Sequence, residues 1–193
     1  YYANCLGELG ILYLNHQMLD KSIKALQQYE GFGVQNSDSI VLGYADFYLG
    51  MANISKGTGF DAKERLLSLI SNDKAIESQK TEAYFLLAKN ALFLEEDCDS
   101  ALYYINHYIE LHKDKIGIGK AFSVKGNIWY NWEKYDSAKY CFQLSLLDKS
   151  IDIYTECSCY KYLSYIASMM NQSDVVKGYV NKLKQYKETD DQT

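Results

Sequence analysis

Residues 125–146 read KGNIWYNWEKYDSAKYCFQLSL, and the spacing inside this stretch decides the fold. Thirteen residues after Lys125 comes the small Ala138, and four further comes Phe142. Side chains four apart share one face of a helix, and a small residue on that face lets a second helix approach closely. The chain contains no proline, so nothing of that kind interrupts long helices.

The Lys125-Gly126 pair that opens the stretch has relatives along the whole chain: Leu9-Gly10, Leu49-Gly50, Leu87-Ala88 and Leu163-Ser164, at steps of 40, 38, 38 and 38 residues. Self-similarity at such a period marks a repeat array, in which each unit buries its apolar face by stacking on its neighbours. Thirteen or fourteen residues after each pair a second position recurs, small in Ser22, Ala101 and Ala138 and different in Lys63 and Val176. Four beyond it stand Leu26, Leu67, Ile105, Phe142 and Val180.

This pattern predicts an all-α chain of five helix pairs: 2–16 with 19–30, 39–56 with 60–71, 77–94 with 99–112, 117–132 with 135–148, and 152–170 with 173–187. The units span about 3–37, 38–76, 77–114, 115–151 and 152–187, forming a single array over 1–187, and 188–193 (ETDDQT) form a polar tail. Asp136 or Ser137 and Ser173 are expected to cap the last two second helices. Gly57-Thr58-Gly59 adds one residue to the turn of the second unit, and Glu95 to Cys98 adds one in the third.

The fourth unit, with Phe122, Gly126, Trp129, Tyr135, Ala138 and Phe142, resembles the tetratricopeptide repeat (TPR), and the first unit matches it well through Leu9-Gly10, Tyr13, Leu19, Ser22 and Leu26. The resemblance implies a right-handed superhelix of stacked antiparallel helix pairs, a TPR-like α-solenoid. The family repeat has about 34 residues. The excess of about one helical turn is expected in longer second helices or in earlier starts of the first helices.

Composition narrows the function. A formal net charge of -5 and a pI near 5.2 oppose nucleic-acid binding, which needs a concentrated basic face. Asp46 and Lys161 break the two most apolar stretches before either reaches membrane-spanning length. The chain opens at Tyr1 in a segment that already reads as helix, so a missing upstream segment is expected, with a cytoplasmic or periplasmic location left open. The five cysteines, an odd number without scaffold spacing, are expected to be free thiols that mostly pack as small hydrophobes.

Partial motifs for chemistry fall short. Gly117-Ile118-Gly119-Lys120 lacks a phosphate loop's first Gly, where Asp114 stands, and its Ser or Thr, where Ala121 stands. Cys157 and Cys159 point to opposite sides of a helix, and His107 and His112 miss the spacing of a helical zinc pair. The run Glu95-Glu96-Asp97-Cys98-Asp99 lacks a calcium loop's alternation and reads as a turn entering a helix. No catalytic residues, cofactor or metal are expected.

In the family, the first helix of each unit lines a binding groove. The resemblance therefore implies a ligand or peptide groove built from Asn4, Ile11 and Asn15; Tyr44, Phe47 and Met51; Phe85, Lys89 and Phe93; Lys120, Asn127, Tyr130 and Asn131; and Lys161, Tyr165 and Met169. The set holds amides, aromatics, methionines and lysines and no acid, Glu82 being the nearest exception. Such a surface suits an extended peptide; the opposing expectation is that many of these aromatics pack between helices. The family's carboxylate clamp is not repeated here, because Lys161 is followed by Tyr165 and Asn127 is preceded by Ser123 at the paired positions.

These readings converge on a non-enzymatic protein- or peptide-binding scaffold within a larger, bacterial-type regulatory protein. The alternatives are a sensory domain that relays a bound peptide or small molecule to an output domain, and a glycan-binding lipoprotein.

Overall fold

A computed structural model describes residues 2–112 and 117–190, the last four of these by backbone alone. Among the described residues there are ten α-helices and no strand. They are α1 (Tyr2–Asn15), α2 (Leu19–Asn36), α3 (Ser39–Lys56), α4 (Gly59–Ser71), α5 (Glu77–Phe93), α6 (Cys98–Leu111), α7 (Gly119–Asn131), α8 (Tyr135–Leu147), α9 (Ile153–Met169) and α10 (Ser173–Asp190). They fall into two compact units, residues 1–111 and 112–193. The expected boundary between the third and fourth repeats lies outside the described residues, and so do the last three residues of the expected tail; α10 runs through the first three.

Each predicted pair is a pair of packed helices. The turn inside every pair holds one left-handed residue: Gln17, Gly57, Glu96, Glu133 and Asn171. The conformation recurs although only one of the five is glycine, so the tight reversal, and not the residue type, is what repeats.

The second member of the recurrent pair sits at the closest helix approach. A Cβ on Gly10 would come within 2.6 Å of Leu26 Cγ, one on Gly50 within 2.8 Å of Leu66, and one on Gly126 within 2.6 Å of Phe142. Leu26, Leu66 and Phe142 are fully buried, each contributing on the order of 1.5–3 kcal/mol by area. In the first pair the Ser22 hydroxyl also donates to the Gly10 carbonyl at 2.8 Å. The first member is less constant: Leu49, Leu87 and Leu163 are buried, whereas Leu9 is exposed.

The structure corrects four details. In the second unit the small position is Ala62 and the packing residue Leu66, both buried, whereas Leu67 is exposed. Gly59 begins α4 instead of lengthening the turn, so no residue is inserted there. Second, α2 continues to Asn36, six residues past the expected end. Third, the extra turn is distributed unevenly. It lengthens the second helix α2 and the first helices α3, α5 and α9, as expected, while α7 and α8 of the fourth unit have only 13 residues each. Fourth, Lys134 occupies the cap of α8 without a side-chain bond, and Ser173 is already inside α10. The side chains that do cap are Asp38, at 3.0 Å from the Ile40 amide, and Asp152, at 2.8 Å from that of Thr155. Asp97 does the same for α6 through Ser100, so the acidic run is a helix entry as expected.

Within the first unit the backbone of α1 adjoins that of α3 and α3 adjoins α5, while the backbones of α2 and α4, and of α4 and α6, stay apart and are bridged by side chains alone, as by Arg65 with Glu30. The first helices are thus close neighbours and the second helices splay apart, opening clefts on both sides of α3. In the second unit the backbone of α7 adjoins that of α9, and the backbones of α8 and α10 stay apart.

The described cysteines are all free thiols; Cys141 and Cys159 are buried and Cys5 is exposed. No helix among the described residues is long and apolar enough to cross a membrane.

Candidate binding clefts

The face formed by the first helices contains a cleft of about 220 Å³ between α1 and α3, lined by Asn4, Gly7, Glu8, Ile11, Tyr44 and Tyr48, with Leu26 and Tyr29 of α2 at its floor. It exists because residues four apart on α1 and on α3 face each other where the two helices adjoin. Tyr44 and Tyr48 lie with ring centroids 5.5 Å apart. The Tyr29 ring packs beside Gly7, where a Cβ would stand 3.4 Å from three of its ring atoms. Burial raises the hydroxyl pKa of Tyr29, helped by the negative charges of Asp38 and Glu8 and by Tyr44. Burial likewise raises that of Tyr48, with Tyr44 and Glu8 adding to it.

Three expected groove residues, Asn4, Ile11 and Tyr44, therefore meet in one cleft. Asn15 is exposed at the end of α1 and does not line it. Phe47 is half-buried against the Leu66–Leu87 core with its ring 5.1 Å from Tyr48, and Met51 is half-buried. On α5, Phe85 packs 5.3 Å from Tyr108, Lys89 holds its ammonium 6.0 Å from the Phe85 ring, and Phe93 is exposed. Glu82 accepts a hydrogen bond from the Tyr108 hydroxyl at 3.1 Å.

In the second unit the expected residues gather around a tyrosine that was not among them. Tyr162 lies 4.9 Å from Tyr130, 6.2 Å from Tyr165 and 4.9 Å from the Lys161 ammonium. Tyr130 and Tyr162 are half-buried against the Phe142–Leu163 core, whereas Tyr165 and Met169 are about half exposed. Asn127 is buried and its side-chain carbonyl has no hydrogen-bond partner in the structure. Lys120 is half-buried and Asn131 exposed. Some of the expected groove aromatics thus face solvent and others pack between helices.

Glu8, which the expected groove set does not include, lines the α1/α3 cleft and places an acid there. Glu8, Tyr48 and Tyr162 all stand immediately before the recurrent pair. That position faces the adjoining first helix, and its signal was the aromatic that precedes Leu49 and Leu163 alike.

A larger cleft of about 560 Å³ opens on the other side of α3, between the splayed α2 and α4, and includes Glu30, Asp46, Arg65, Ser68 and Asn72. A smaller one of about 320 Å³ adjoins it and shares Glu64 and Arg65. Arg65 pairs with Glu30 and with Asp46 at 3.2 Å, and Asp46 also accepts from the Ser68 hydroxyl at 2.8 Å. Burial pushes the Asp46 carboxyl above the ordinary value, against the pull of Ser68 and Arg65. Asn72 donates from its amide to the Ser39 carbonyl at 2.7 Å. None of these residues was legible as a site in the sequence, because their partners lie 19 to 35 residues apart on three helices.

Among the described residues no three His, Cys, Asp or Glu side chains are grouped to hold a metal ion. His107 instead lies over Tyr84 at 5.4 Å and against Tyr103 at 4.2 Å. Cys159 sits between the hydroxyls of Ser145, at 3.4 Å, and Ser123, at 3.5 Å, with burial raising its thiol pKa.

No family model matches the chain, and no curated protein matches it. Among solved structures, the chain is similar to a Podosopora anserina protein described as a kinesin light chain with nearly identical TPR-like repeats. The TM-score is 0.74 at 9% identity, over 98% of this chain and 96% of that one. Together with the five helix pairs, that likeness identifies the fold of this chain as a TPR-like helical repeat.

Proposed function

We propose that this chain is a non-enzymatic protein-interaction module that takes an extended peptide along the face of its first helices. The observation that carries the reading is the α1/α3 cleft, where amide, carboxylate and tyrosine side chains converge beside a row of adjoining first helices. A repeat of this kind presents extended surfaces suited to chains without secondary structure of their own.

The test is selection of binders from a random decapeptide library on the full chain, followed by calorimetry. Tyr44→Leu combined with Asn4→Ala, both at the α1/α3 cleft, is expected to weaken the selected peptides by about tenfold, the scale of a central contact. Ser68→Ala, on the other side of α3, is expected to leave them unchanged. Equal affinity for the double variant and the parent chain would remove the assignment to the first helices.

A further inference from the structure

We infer that the α1/α3 cleft receives a single cationic side chain, a lysine or an arginine, from the peptide proposed above. The inference rests on that reading of the first-helix face and adds the chemistry of one pocket.

Charge is the first ground. The cleft lining has one carboxylate, Glu8, and no cation. Helix α1 contains neither Lys nor Arg, and the one such residue of α3 is Lys56, at its last turn, already paired with Asp20 at 2.7 Å. No ion pair compensates Glu8 among the described residues. Asp38 adds a second negative charge that reaches the same tyrosine, Tyr29.

Shape and surface are the second. Tyr44, Tyr48 and Tyr29 all line this cleft, and aromatic faces attract ammonium and guanidinium groups while their ring edges accept the aliphatic stem. A volume of about 220 Å³ admits one long side chain and excludes a folded element. Asn4 stands at the same cleft, with an amide able to hold the peptide backbone beside the inserted residue. A carboxylate ligand is disfavoured on the same grounds, since it would meet Glu8 with nothing to offset the repulsion.

The experiment uses the library-selected peptides on the full chain, the parent compared with Glu8→Gln and Tyr44→Leu. Selected sequences are expected to share a Lys or Arg at one position. Glu8→Gln is expected to weaken them by about 3- to 10-fold, the scale of an exposed charge pair reinforced by ring contacts. Replacing the shared arginine by citrulline should cost the same, and the two changes together no more than either alone. Glu8 is exposed, so its variant keeps the fold, as circular dichroism would verify.

If Tyr44→Leu weakens binding while Glu8→Gln and citrulline do not, the cation inference fails and the peptide groove stands. If none of the three changes affinity, the groove reading fails and the inference with it. Should the library return no binder, N-acetyl-arginine amide and its citrulline counterpart decide, followed at the Ile11 and Tyr48 amides. Stronger shifts with arginine support the inference, and equal shifts overturn it.

Discussion

The two sides of α3 treat their buried groups differently. Tyr44 and Tyr48 face α1, and Asp46, two residues from each, faces the gap between α2 and α4. In the larger cleft the buried Asp46 and its neighbour Glu30 meet Arg65 from the same unit, while the exposed Glu64 makes no ion pair among the described residues. In the smaller one Glu8 has no cation among the lining residues. Size therefore does not mark the candidate site; the difference is between a cleft whose buried carboxylate is held by Arg65 for the fold and one whose Glu8, unpaired among the described residues, stands among three tyrosines.

The comparison breaks most visibly at Arg65. Arg65→Met leaves Asp46, only 8% exposed, beside Glu30 without a counter-charge. A loss of about 2–4 kcal/mol is expected in urea unfolding, toward the lower part of the range for stranded buried charges because Arg65 is partly solvated. Peptide affinity of the folded variant should be unchanged. A neutral stability effect would mean that the larger cleft is not held by its ion pairs.

Gly10→Ala comes next, because it strikes the floor of the smaller cleft. The new Cβ would lie 2.6 Å from Leu26 Cγ, so the Leu26 side chain must shift. Overpacking of this kind is expected to cost about 1–3 kcal/mol, visible as a lower Tm, and to weaken selected peptides by displacing Leu26 beneath Tyr44. Unchanged stability would show that α1 and α2 can separate freely at this point.

A smaller effect concerns pH. The folded Asp46 carboxyl titrates above its ordinary value, so the native state binds more protons than the unfolded chain just above about pH 4, and stability falls as pH rises through that window. Asp97, Asp148 and Asp152 have lowered values, from their hydrogen bonds to Ser100, to Ser150 and Gly119, and to Thr155. Their contribution is present above the ordinary carboxylate range and is lost as pH falls below it. Subtracting the Asp46→Asn stability profile from that of the parent should isolate the falling limb; parallel profiles would contradict it.

Smallest of all is Glu8→Gln, expected to shift stability by no more than about 0.5 kcal/mol, in contrast to Arg65→Met. A destabilisation comparable to that of Arg65→Met would place Glu8 among the structural charges.

Much of this architecture was legible in the chain because each helix pair is local. The glycine of the recurrent pair and the apolar residue sixteen positions on, as in Gly10 with Leu26 and Gly126 with Phe142, meet within about forty residues of sequence. The second unit was misread by one residue because Gly59 looks like turn material yet begins a helix, and the rule that turns favour glycine outweighed the burial of Ala62. Site residues divide similarly. Asn4, Ile11 and Tyr44 followed from the groove positions that the resemblance implies on each first helix, whereas Glu8 and Tyr48 depend on how α1 and α3 adjoin. The Glu30–Arg65–Asp46 cluster needs three helices in place at once, and no periodicity in one of them encodes it.

The central claim is that the tyrosine-lined cleft of Glu8, and not the larger one crossed by Arg65, receives the ligand. Backbone amide shift mapping with a selected peptide tests it most directly, comparing Glu8, Ile11, Tyr44 and Tyr48 with Ser39, Leu42, Ser68 and Asn72. Largest shifts in the first group, with the second unmoved, are the predicted result; largest shifts in the second group would contradict it.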